Sequence, residues 1–341
     1  MVVSTSFEND APCLPTIEAA RLKPISLLEK GVKPLINDIL GIHHITSIAS
    51  DPVKNNHFFT HVLGLKRVKK TVNFDYPSVY HLYFADPAGT PGTVMTYFPF
   101  PSRARGYRGI GEVAKAQFAV LPDSLDFWED RLAANDVKEL TRVERFSSSC
   151  LEFVGPDGEN LAICEQDTAI LPPADGHIPS TVAIRGFHSA QFCVDRSSGV
   201  GNLLAFMGFV TGPRDGDTQR FQLRSSAPAS IIDVQYVENR EAAQESAGSV
   251  HHIAFAVKDD SAQNRMRDAL AERGHQVTAI KDRSYFKAVY FRTQDGILFE
   301  VATNPPGFST DEPIDTMGSS LCLPKQHKGL RETLEKQLIP L

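Results

Sequence analysis

One pattern of strands and a helix recurs four times along this chain, and this repeat restricts the available folds more than any other feature. Each copy begins with an apolar strand, continues with a helix of about a dozen residues and ends with two or three more strands. A single copy would leave one sheet face uncovered, so copies should pair and enclose a cleft. We predict an α+β fold in which four βαβββ modules form two curved-sheet domains. The opening strands read IHHITSIA, AKAQFAVL, RGFHSAQFCV and VHHIAFAV.

The helices of these modules show recognisable ends. The apolar stripe of NNHFFTHVLG predicts a helix that ends at Gly64, and DSAQNRMRDALAERG predicts one that ends at Gly274. SLDFWEDRLAAND predicts the helix of the second module, with Ser124 as its N-cap. Near the end of the chain, GLRETLEKQLIPL also reads as a helix, which we expect to pack on the outside or on another subunit.

A proline-rich segment, ILPPADGHIPST, separates the second module from the third and is typical of a linker. The segments before the first module and after the fourth do not belong to the repeat. The resulting division is an N-terminal extension at 1–39, a first two-module domain at 40–168, a linker at 169–181, a second two-module domain at 182–305 and a C-terminal tail at 306–341.

Composition argues against several classes of partner. With 42% hydrophobic residues, 22% charged residues and a net charge of −6, the chain reads as a globular protein without a basic surface for nucleic acid. No run approaches the ~18 to 20 apolar residues of a membrane span, and MVVSTSFENDAPCLPT lacks the basic flank and apolar segment of a secretory signal. We expect a cytoplasmic protein that binds a small molecule, and we leave a homo-oligomer open.

The cysteines suggest neither a disulfide framework nor a zinc site. They are odd in number, widely scattered and never spaced as CxxC. Two of them, Cys150 and Cys164, lie in strand-like runs, which favours buried free thiols. The five are Cys13, Cys150, Cys164, Cys193 and Cys322.

Two histidine doublets lie in the opening strands of the first and fourth modules. Successive side chains of a strand face opposite sides, so only one histidine of each doublet can enter a cleft. In VHHIAFAV, His252 shares its face with Ala254, whose small side chain leaves room for a ligand. We therefore assign His252 and, by the same register, His44 to the cleft. His43 and His251 are then expected to support them.

The last strand of the fourth module, DGILFEVAT, carries Glu300 on the face opposite its bulky apolar residues. Burying an unpaired carboxylate costs on the order of several kcal/mol, so a cation is its simplest partner. His44, His252 and Glu300 would form the two-histidine, one-carboxylate set typical of nonhaem Fe(II). His188 competes with His44 for this set, although Phe192 on its face weakly opposes it. The other histidines are interpreted as structural or solvated: His57, His61, His81, His177, His275 and His327.

The modular plan and its strand-borne ligands resemble the vicinal oxygen chelate superfamily, which includes glyoxalases, bleomycin-resistance proteins and extradiol dioxygenases. Over residues 40–340 the chain is similar to the hydroquinone ring-cleaving branch of 2,6-dichlorohydroquinone 1,2-dioxygenase. The stretches that carry this resemblance are HHIT, LKRVKKTVNFD, VYHLYFAD, GTVMTYFPFP, AIRGFHS, VHHIAFAV and DRSYFKAVYFRTQDGILFEVAT.

The resemblance implies an extradiol-type oxidoreductase that opens a hydroquinone-type or catechol-type ring with O2. It implies Fe(II), with Mn(II) as the alternative, held by His44, His252 and Glu300, and so favours His44 over His188. It also implies a small aromatic substrate. Catalytic or supporting roles fall on His43, Thr46, His251, Arg283 and Tyr290.

Two other functions are compatible with this fold class. One is a metal-free binding or resistance protein, which an intact set of three metal-type side chains disfavours. The other is a glyoxalase-like isomerase that uses Zn(II) or Ni(II), which usually employs more carboxylate ligands. Metal content and oxygen consumption distinguish all three functions.

Overall fold

The computed structural model describes residues 37–168, 177–224 and 228–341. Most of the predicted N-terminal extension, with Cys13, and residues 169–176 of the predicted linker lie outside these ranges. Each of the four modules contains one strand, one helix and three further strands, in the predicted order. The α+β fold of four βαβββ modules is therefore confirmed.

The first two modules have the following elements. The first contains β1 (Ile39–Ala49), α1 (Pro52–His57, continued by a π-helical turn at Phe58–Val62), β2 (Lys66–Val72), β3 (Tyr80–Ala85) and β4 (Val94–Pro99). The second contains β5 (Glu112–Val120), α2 (Leu125–Ala134), β6 (Lys138–Arg145), β7 (Ser148–Val154) and β8 (Asn160–Glu165).

The last two modules repeat this order. The third contains β9 (Phe187–Asp195), α3 (Val200–Phe206), β10 (Phe209–Asp215), β11 (Thr218–Leu223) and β12 (Ile231–Val237). The fourth contains β13 (Val250–Val257), α4 (Asp260–Glu272), β14 (Lys281–Asp282), β15 (Lys287–Arg292) and β16 (Leu298–Thr303). The tail adds three 3₁₀ turns (Phe308–Thr310, Ile314–Thr316 and Lys325–Leu330) and α5 (Arg331–Gln337).

The strands form two eight-stranded sheets, each built from two modules. The first sheet has the order β14-β15-β16-β13-β1-β4-β3-β2 and so joins the first module to the fourth. The second has the order β10-β11-β12-β9-β5-β8-β7-β6 and joins the second to the third. The opening strands β1 and β13 pair antiparallel at the centre of the first sheet, as β5 and β9 do in the second. Each sheet thus draws strands from both predicted ranges, 40–168 and 182–305, whose boundaries stay a prediction.

The helices cover one face of the sheets and leave the opposite face for the cleft. Phe59 from the first module, Trp128 from α2 and Met266 from α4 are fully buried in one continuous core with strand residues such as Ile45 and Phe255. Because side chains alternate along a strand, the neighbours of Ile45, including His44, face away from this core. Among the described residues, no helix is long and apolar enough to cross a membrane.

The predicted helix ends are confirmed at both glycines, but the N-cap works differently from the prediction. Gly64 and Gly274 adopt positive φ angles of 71° and 86°, which suit glycine after a helix. Ser124 occupies the N-cap position of α2, yet its hydroxyl makes no capping hydrogen bond. Instead Glu165 Oε1 accepts hydrogen bonds from the N–H groups of Ser124 (2.9 Å) and Leu125 (3.3 Å). A carboxylate from β8 therefore caps this helix.

The C-terminal tail packs onto the first sheet. Lys69 on β2 is fully buried, and its ammonium donates hydrogen bonds of 2.6 Å to both Asp311 and Glu312. Leu334 on α5 and Leu338 lie in the main core. The expected helix is present, and it belongs to the fold of this subunit. The carboxylates of Asp311 and Glu312 both bind the ammonium of Lys69, so this acidic pair is neutralised by a side chain and needs no metal ion.

The structure corrects the prediction of free thiols at Cys150 and Cys164, which are joined by a disulfide. The two residues lie opposite each other in the antiparallel pair β7 and β8, with their Cα atoms 4.1 Å apart. The signal in the sequence is their symmetry about Asp157, which lies in the turn between the two strands. Of the described cysteines, Cys193 and Cys322 are free.

We expect the double variant Cys150→Ala/Cys164→Ala to lower the free energy of unfolding by about 2 to 3 kcal/mol, because the bond closes a short loop in the unfolded chain. Denaturant titration with and without a thiol reductant measures this change, and the reduced wild type should match the variant. Thiol labelling of the unfolded, unreduced protein should modify Cys193 and Cys322 and leave Cys150 and Cys164 unmodified. Modification of Cys150 and Cys164 would contradict the assignment.

A buried carboxyl connects the turn after β7 to β4. Glu159 is 3% exposed, accepts a hydrogen bond of 3.2 Å from the Tyr97 hydroxyl and accepts another of 2.8 Å from the Asp157 N–H. Burial is the main cause that raises the pKa of Glu159 from 4.5 to about 7, and the nearby charge of Asp157 adds to it. The folded protein therefore holds this proton more tightly than the unfolded chain.

This raised pKa predicts a stability that declines between pH 4.5 and pH 7. Below that window the group is protonated in both states; as pH rises through it, the unfolded chain releases the proton first and folding loses up to about 3 kcal/mol. We expect the free energy of unfolding of Glu159→Gln to lack this decline. Denaturant titrations of both proteins at pH 5 and pH 8 measure the difference. If the difference in free energy of unfolding between the wild type and Glu159→Gln were the same at pH 5 and pH 8, it would contradict the assigned pKa.

Candidate metal centre

The register of three neighbouring strands brings the predicted ligands into one row. His44 on β1 lies opposite Ala254 on β13, and Ala254 pairs in turn with Glu300 on β16. The methyl group of Ala254 leaves the space between the two larger side chains open. His252 shares the face of Ala254, two residues earlier on β13, and lies opposite Thr46. The strand alternation inferred from the sequence thus holds in the structure.

The three side chains converge on a single point. His44 Nε2 lies 3.2 Å from His252 Nε2, and Glu300 Oε2 lies 3.5 Å from His44 Nε2 and 3.0 Å from His252 Nε2. All three residues are buried. Two ligand atoms that are each about 2.1 Å from one ion lie about 3.0 to 3.4 Å apart at octahedral or tetrahedral angles. The observed separations therefore suit three ligands of one ion.

The environment of Glu300 also fits a metal. Its residue is fully buried, and within the described part of the chain neither carboxylate oxygen has a hydrogen-bond partner of acceptable geometry. Burial alone would raise the pKa of Glu300, but the adjacent imidazoles of His44 and His252 hold it well below its ordinary value. Burial lowers the pKa of His252 to about 3 and so keeps that imidazole neutral. An ionised carboxylate and a neutral imidazole are the forms that bind metals.

Each candidate ligand histidine has its own supporting histidine. His43 Nδ1 lies 2.9 Å from His44 Nδ1, and His251 Nδ1 lies 2.7 Å from His252 Nδ1. With Nε2 of His44 and His252 turned toward Glu300, their Nδ1–H groups donate to the neighbouring imidazoles. Burial lowers the pKa of His43 to about 3, so it is neutral and can accept. Such hydrogen bonds fix the ring orientation and tautomer of a metal ligand.

Arg283 and Tyr290 border the same point. Tyr290 on β15 pairs with Glu300 across the sheet, and its ring meets that of His252 edge-on at 5.9 Å. Arg283 Nε donates a hydrogen bond of 3.0 Å to the Tyr290 hydroxyl. Burial, followed by the charge of Glu300, raises the pKa of Tyr290 well above its ordinary value. A permanent cation and a neutral phenol therefore stand beside the candidate ligands.

The structure adds a group of cleft residues that the sequence interpretation missed. The sequence predicts His81 to be structural or solvated, but the residue is 7% exposed and its Nε2 lies 2.8 Å from Thr96 Oγ1 in the cleft. Tyr83 Oη lies 2.9 Å from His81 Nδ1, while Thr96 Oγ1 lies 2.8 Å from Thr46 Oγ1. Burial is the main cause that lowers the pKa of His81 well below its ordinary value, so its ring is neutral. The alternation in VYHLYFAD is the signal, since it sets His81 and Tyr83 on one face.

His188, the competitor of His44, lies elsewhere. It belongs to β9 in the second sheet, and its Nδ1 lies 2.8 Å from Ser189 Oγ. Burial lowers its pKa to about 4. Among the described residues, the ligand atoms that gather with His252 and Glu300 come from His44. The structure does not bring His188 into this group.

Relatives of known name share most of the chain. A family model described as the Glyoxalase/Bleomycin resistance protein/Dioxygenase superfamily matches residues 41–163. A Bacillus subtilis (strain 168) protein named as the ring-cleaving dioxygenase MhqO is 39% identical over 303 residues, which cover 88% of this chain and 96% of the relative. The chlorohydroquinone/hydroquinone 1,2-dioxygenase of Sphingobium indicum is 33% identical over 306 residues, which cover 86% and 94%.

Solved structures agree with this assignment of fold. A crystal structure from Bacillus subtilis, of a protein named as a dioxygenase, matches with a TM-score of 0.86 at 38% identity and covers 89% of this chain and 98% of the other. Glyoxalase I from Zea mays matches with a TM-score of 0.56 at 12% identity, over 77% of this chain and 92% of the other. The maize enzyme supports the fold alone.

Proposed function

Because the chain belongs to the glyoxalase/bleomycin resistance protein/dioxygenase superfamily, we propose that it is a metal-dependent dioxygenase that opens hydroquinone-type or catechol-type rings with O2. The observation that carries this proposal is the convergence of His44, His252 and Glu300 on one point. Two neutral imidazoles and one carboxylate are the donor set of nonhaem Fe(II) enzymes. We propose Fe(II) as the metal, with Mn(II) as the alternative.

The donor set also suits the substrate. A divalent ion with one carboxylate ligand has a net charge of about +1, which favours an anionic phenolate as a further ligand. When bound, Fe(II) supplies Lewis acidity toward the phenolate oxygen and electrons toward dioxygen. His43 and His251 hold the rings of His44 and His252 through their Nδ1 contacts. This support would keep both Nε2 atoms directed at the ion.

Arg283 supplies the positive charge beside the reacting oxygens. Its Nε is bonded to Tyr290, and its guanidinium lies 5.1 Å from the ring centroid of Phe74. These contacts fix the plane of the guanidinium and hold it next to the ligand group. In this role Arg283 stabilises negative charge on oxygen, and Tyr290 donates its O–H to the same region.

For Arg283→Gln we expect kcat/KM for hydroquinone to fall by about 10²- to 10³-fold, because a fixed cation next to developing negative charge is lost. Metal content should stay at the wild-type level, since Arg283 is not a ligand. Arg273→Gln is the matched control, because Arg273 stacks on Phe206 between α3 and α4, outside the cleft. Equal kinetics for both variants would remove Arg283 from the reaction.

The proposal is tested on protein purified without oxygen. Metal content is measured first, and oxygen uptake is then followed with hydroquinone, methylhydroquinone and catechol. We expect bound iron, uptake of one O2 per ring and a ring-opened acid whose mass exceeds that of the substrate by one O2. A protein without metal that still binds phenols would instead be a binding protein. Zinc or nickel without oxygen uptake would point to an isomerase.

A further inference from the structure

Four cleft side chains form a continuous line of hydrogen bonds next to the candidate metal centre. It runs from Tyr83 on β3 through His81 to Thr96 on β4, and then to Thr46 on β1. The three contacts measure 2.9, 2.8 and 2.8 Å, within the ordinary range. His81 and Thr96, in the middle, each donate one hydrogen bond and accept another. The donor at one end of the line therefore determines which group donates in every other hydrogen bond.

The Tyr83 end sets that direction. Tyr83 is 1% exposed and packs against the rings of Tyr285 (6.3 Å) and Phe308 (5.1 Å). Within the described residues, the only polar partner of its hydroxyl is His81 Nδ1. Burial raises the pKa of Tyr83 far above its ordinary value, so the phenol keeps its proton. A buried O–H without an acceptor costs about 1 to 3 kcal/mol. The Tyr83 end is enclosed by aromatic rings, whereas Thr46 at the other end faces the candidate centre, where water or a bound oxygen can accept its proton. Tyr83 is therefore the end that donates into the line, to His81.

The remaining directions follow from this first one. Burial lowers the pKa of His81 well below its ordinary value, so the ring carries a single proton. Since Nδ1 accepts, that proton is on Nε2 and is donated to Thr96. Thr96 can then donate only to Thr46. Thr46 accepts this bond, and in the described part of the chain its own proton has no acceptor.

We propose that Tyr83, His81 and Thr96 are positioning residues that present the Thr46 hydroxyl as a hydrogen-bond donor to an anionic oxygen bound beside His44 and His252. Thr46 shares a strand face with His44 and lies opposite His252, so its free proton is at the candidate centre. The ligand is the phenolate oxygen of the substrate. The inference rests on the proposed function for the identity of this ligand, but the direction of the line does not depend on it.

The direction is tested by the tautomer of His81. Long-range ¹H–¹⁵N correlation spectra of the full chain, without added metal, distinguish the protonated ring nitrogen from the unprotonated one, and His81→Gln identifies the signals. We expect the Nε2–H tautomer in the wild type and a mixture of both tautomers in Tyr83→Phe. Tyr97→Phe is the matched control, because this buried tyrosine on β4 bonds to Glu159 on the opposite face. An Nδ1–H tautomer in the wild type would overturn the proposal.

The consequence for catalysis is tested with Thr96→Val, which has the same shape but no hydroxyl. We expect kcat to fall about tenfold with KM nearly unchanged, because Thr46 is no longer held as a donor. Tyr83→Phe/Thr96→Val should lose no more than Thr96→Val alone, since both residues act through one line. Thr93→Val, which removes a buried hydroxyl bonded to the Thr90 carbonyl, is the control. If the fall in kcat of the double variant equalled the product of the two single falls, the two residues would act independently, which would contradict a single line of hydrogen bonds.

These experiments separate the two proposals. If the chain consumes no oxygen with any phenol, the proposed function fails, while the His81 spectra still decide the direction of the line. If the enzyme turns over but the spectra show the Nδ1–H tautomer of His81, the proposed direction of hydrogen bonding towards Thr46 is refuted and the proposed function stands.

Discussion

Glu300→Ala should lose bound metal and turnover together. Replacing residues that merely orient a ligand weakens metal binding by about 10- to 100-fold, so removing the proposed carboxylate ligand should weaken it by at least about 100-fold. Oxygen uptake should then fall to background. Metal analysis after desalting and oxygen uptake on hydroquinone measure the two effects.

The stability of this variant separates a lost ligand from a lost fold. In the metal-free state, Glu300→Ala should still unfold in one cooperative transition, because the backbone pairing of β16 with β13 and β15 does not depend on this side chain. Added Fe(II) should raise the unfolding temperature of the wild type and leave that of the variant unchanged. Glu165→Gln, on the corresponding strand of the second module, is the control that should keep the metal. Wild-type metal content in Glu300→Ala would remove this residue from the site.

His252→Ala should abolish metal binding, and His188→Ala should not. His252 Nε2 points at the other two ligand atoms, whereas His188 bonds to Ser189 in the second sheet. The pair is well matched, because both are buried histidines in the opening strands of related modules. Metal content and the stabilisation by added Fe(II) measure the outcome. Metal loss in both variants would restore the alternative set of His188, His252 and Glu300, and metal retention in His252→Ala would remove His252 from the site.

Much of the site could be predicted because strand alternation is a local rule. The choice of His252 over His251 required only that alanines share its face, and the register of β13 and β16 then brings Glu300 beside it. The choice of His44 over His188 could not be made by periodicity. It depends on the first module sharing a sheet with the fourth, which is a contact between distant parts of the chain.

Other features were missed for related reasons. The disulfide between Cys150 and Cys164 depends on the pairing register of β7 with β8. The line through His81 depends on β3, β4 and β1 lying side by side. Lys69 reads as a surface residue in the basic stretch KRVKK, and only the returning tail, with Asp311 and Glu312, makes its burial favourable. All of these are consequences of tertiary contacts rather than of local sequence.

Diffraction data collected at the iron absorption edge, from crystals of the protein loaded with Fe(II) without oxygen, test the central claim most directly. We expect a single strong anomalous peak within about 2.0 to 2.3 Å of His44 Nε2, His252 Nε2 and a carboxylate oxygen of Glu300. A peak bound by other residues, or no peak between these three side chains, would contradict the account.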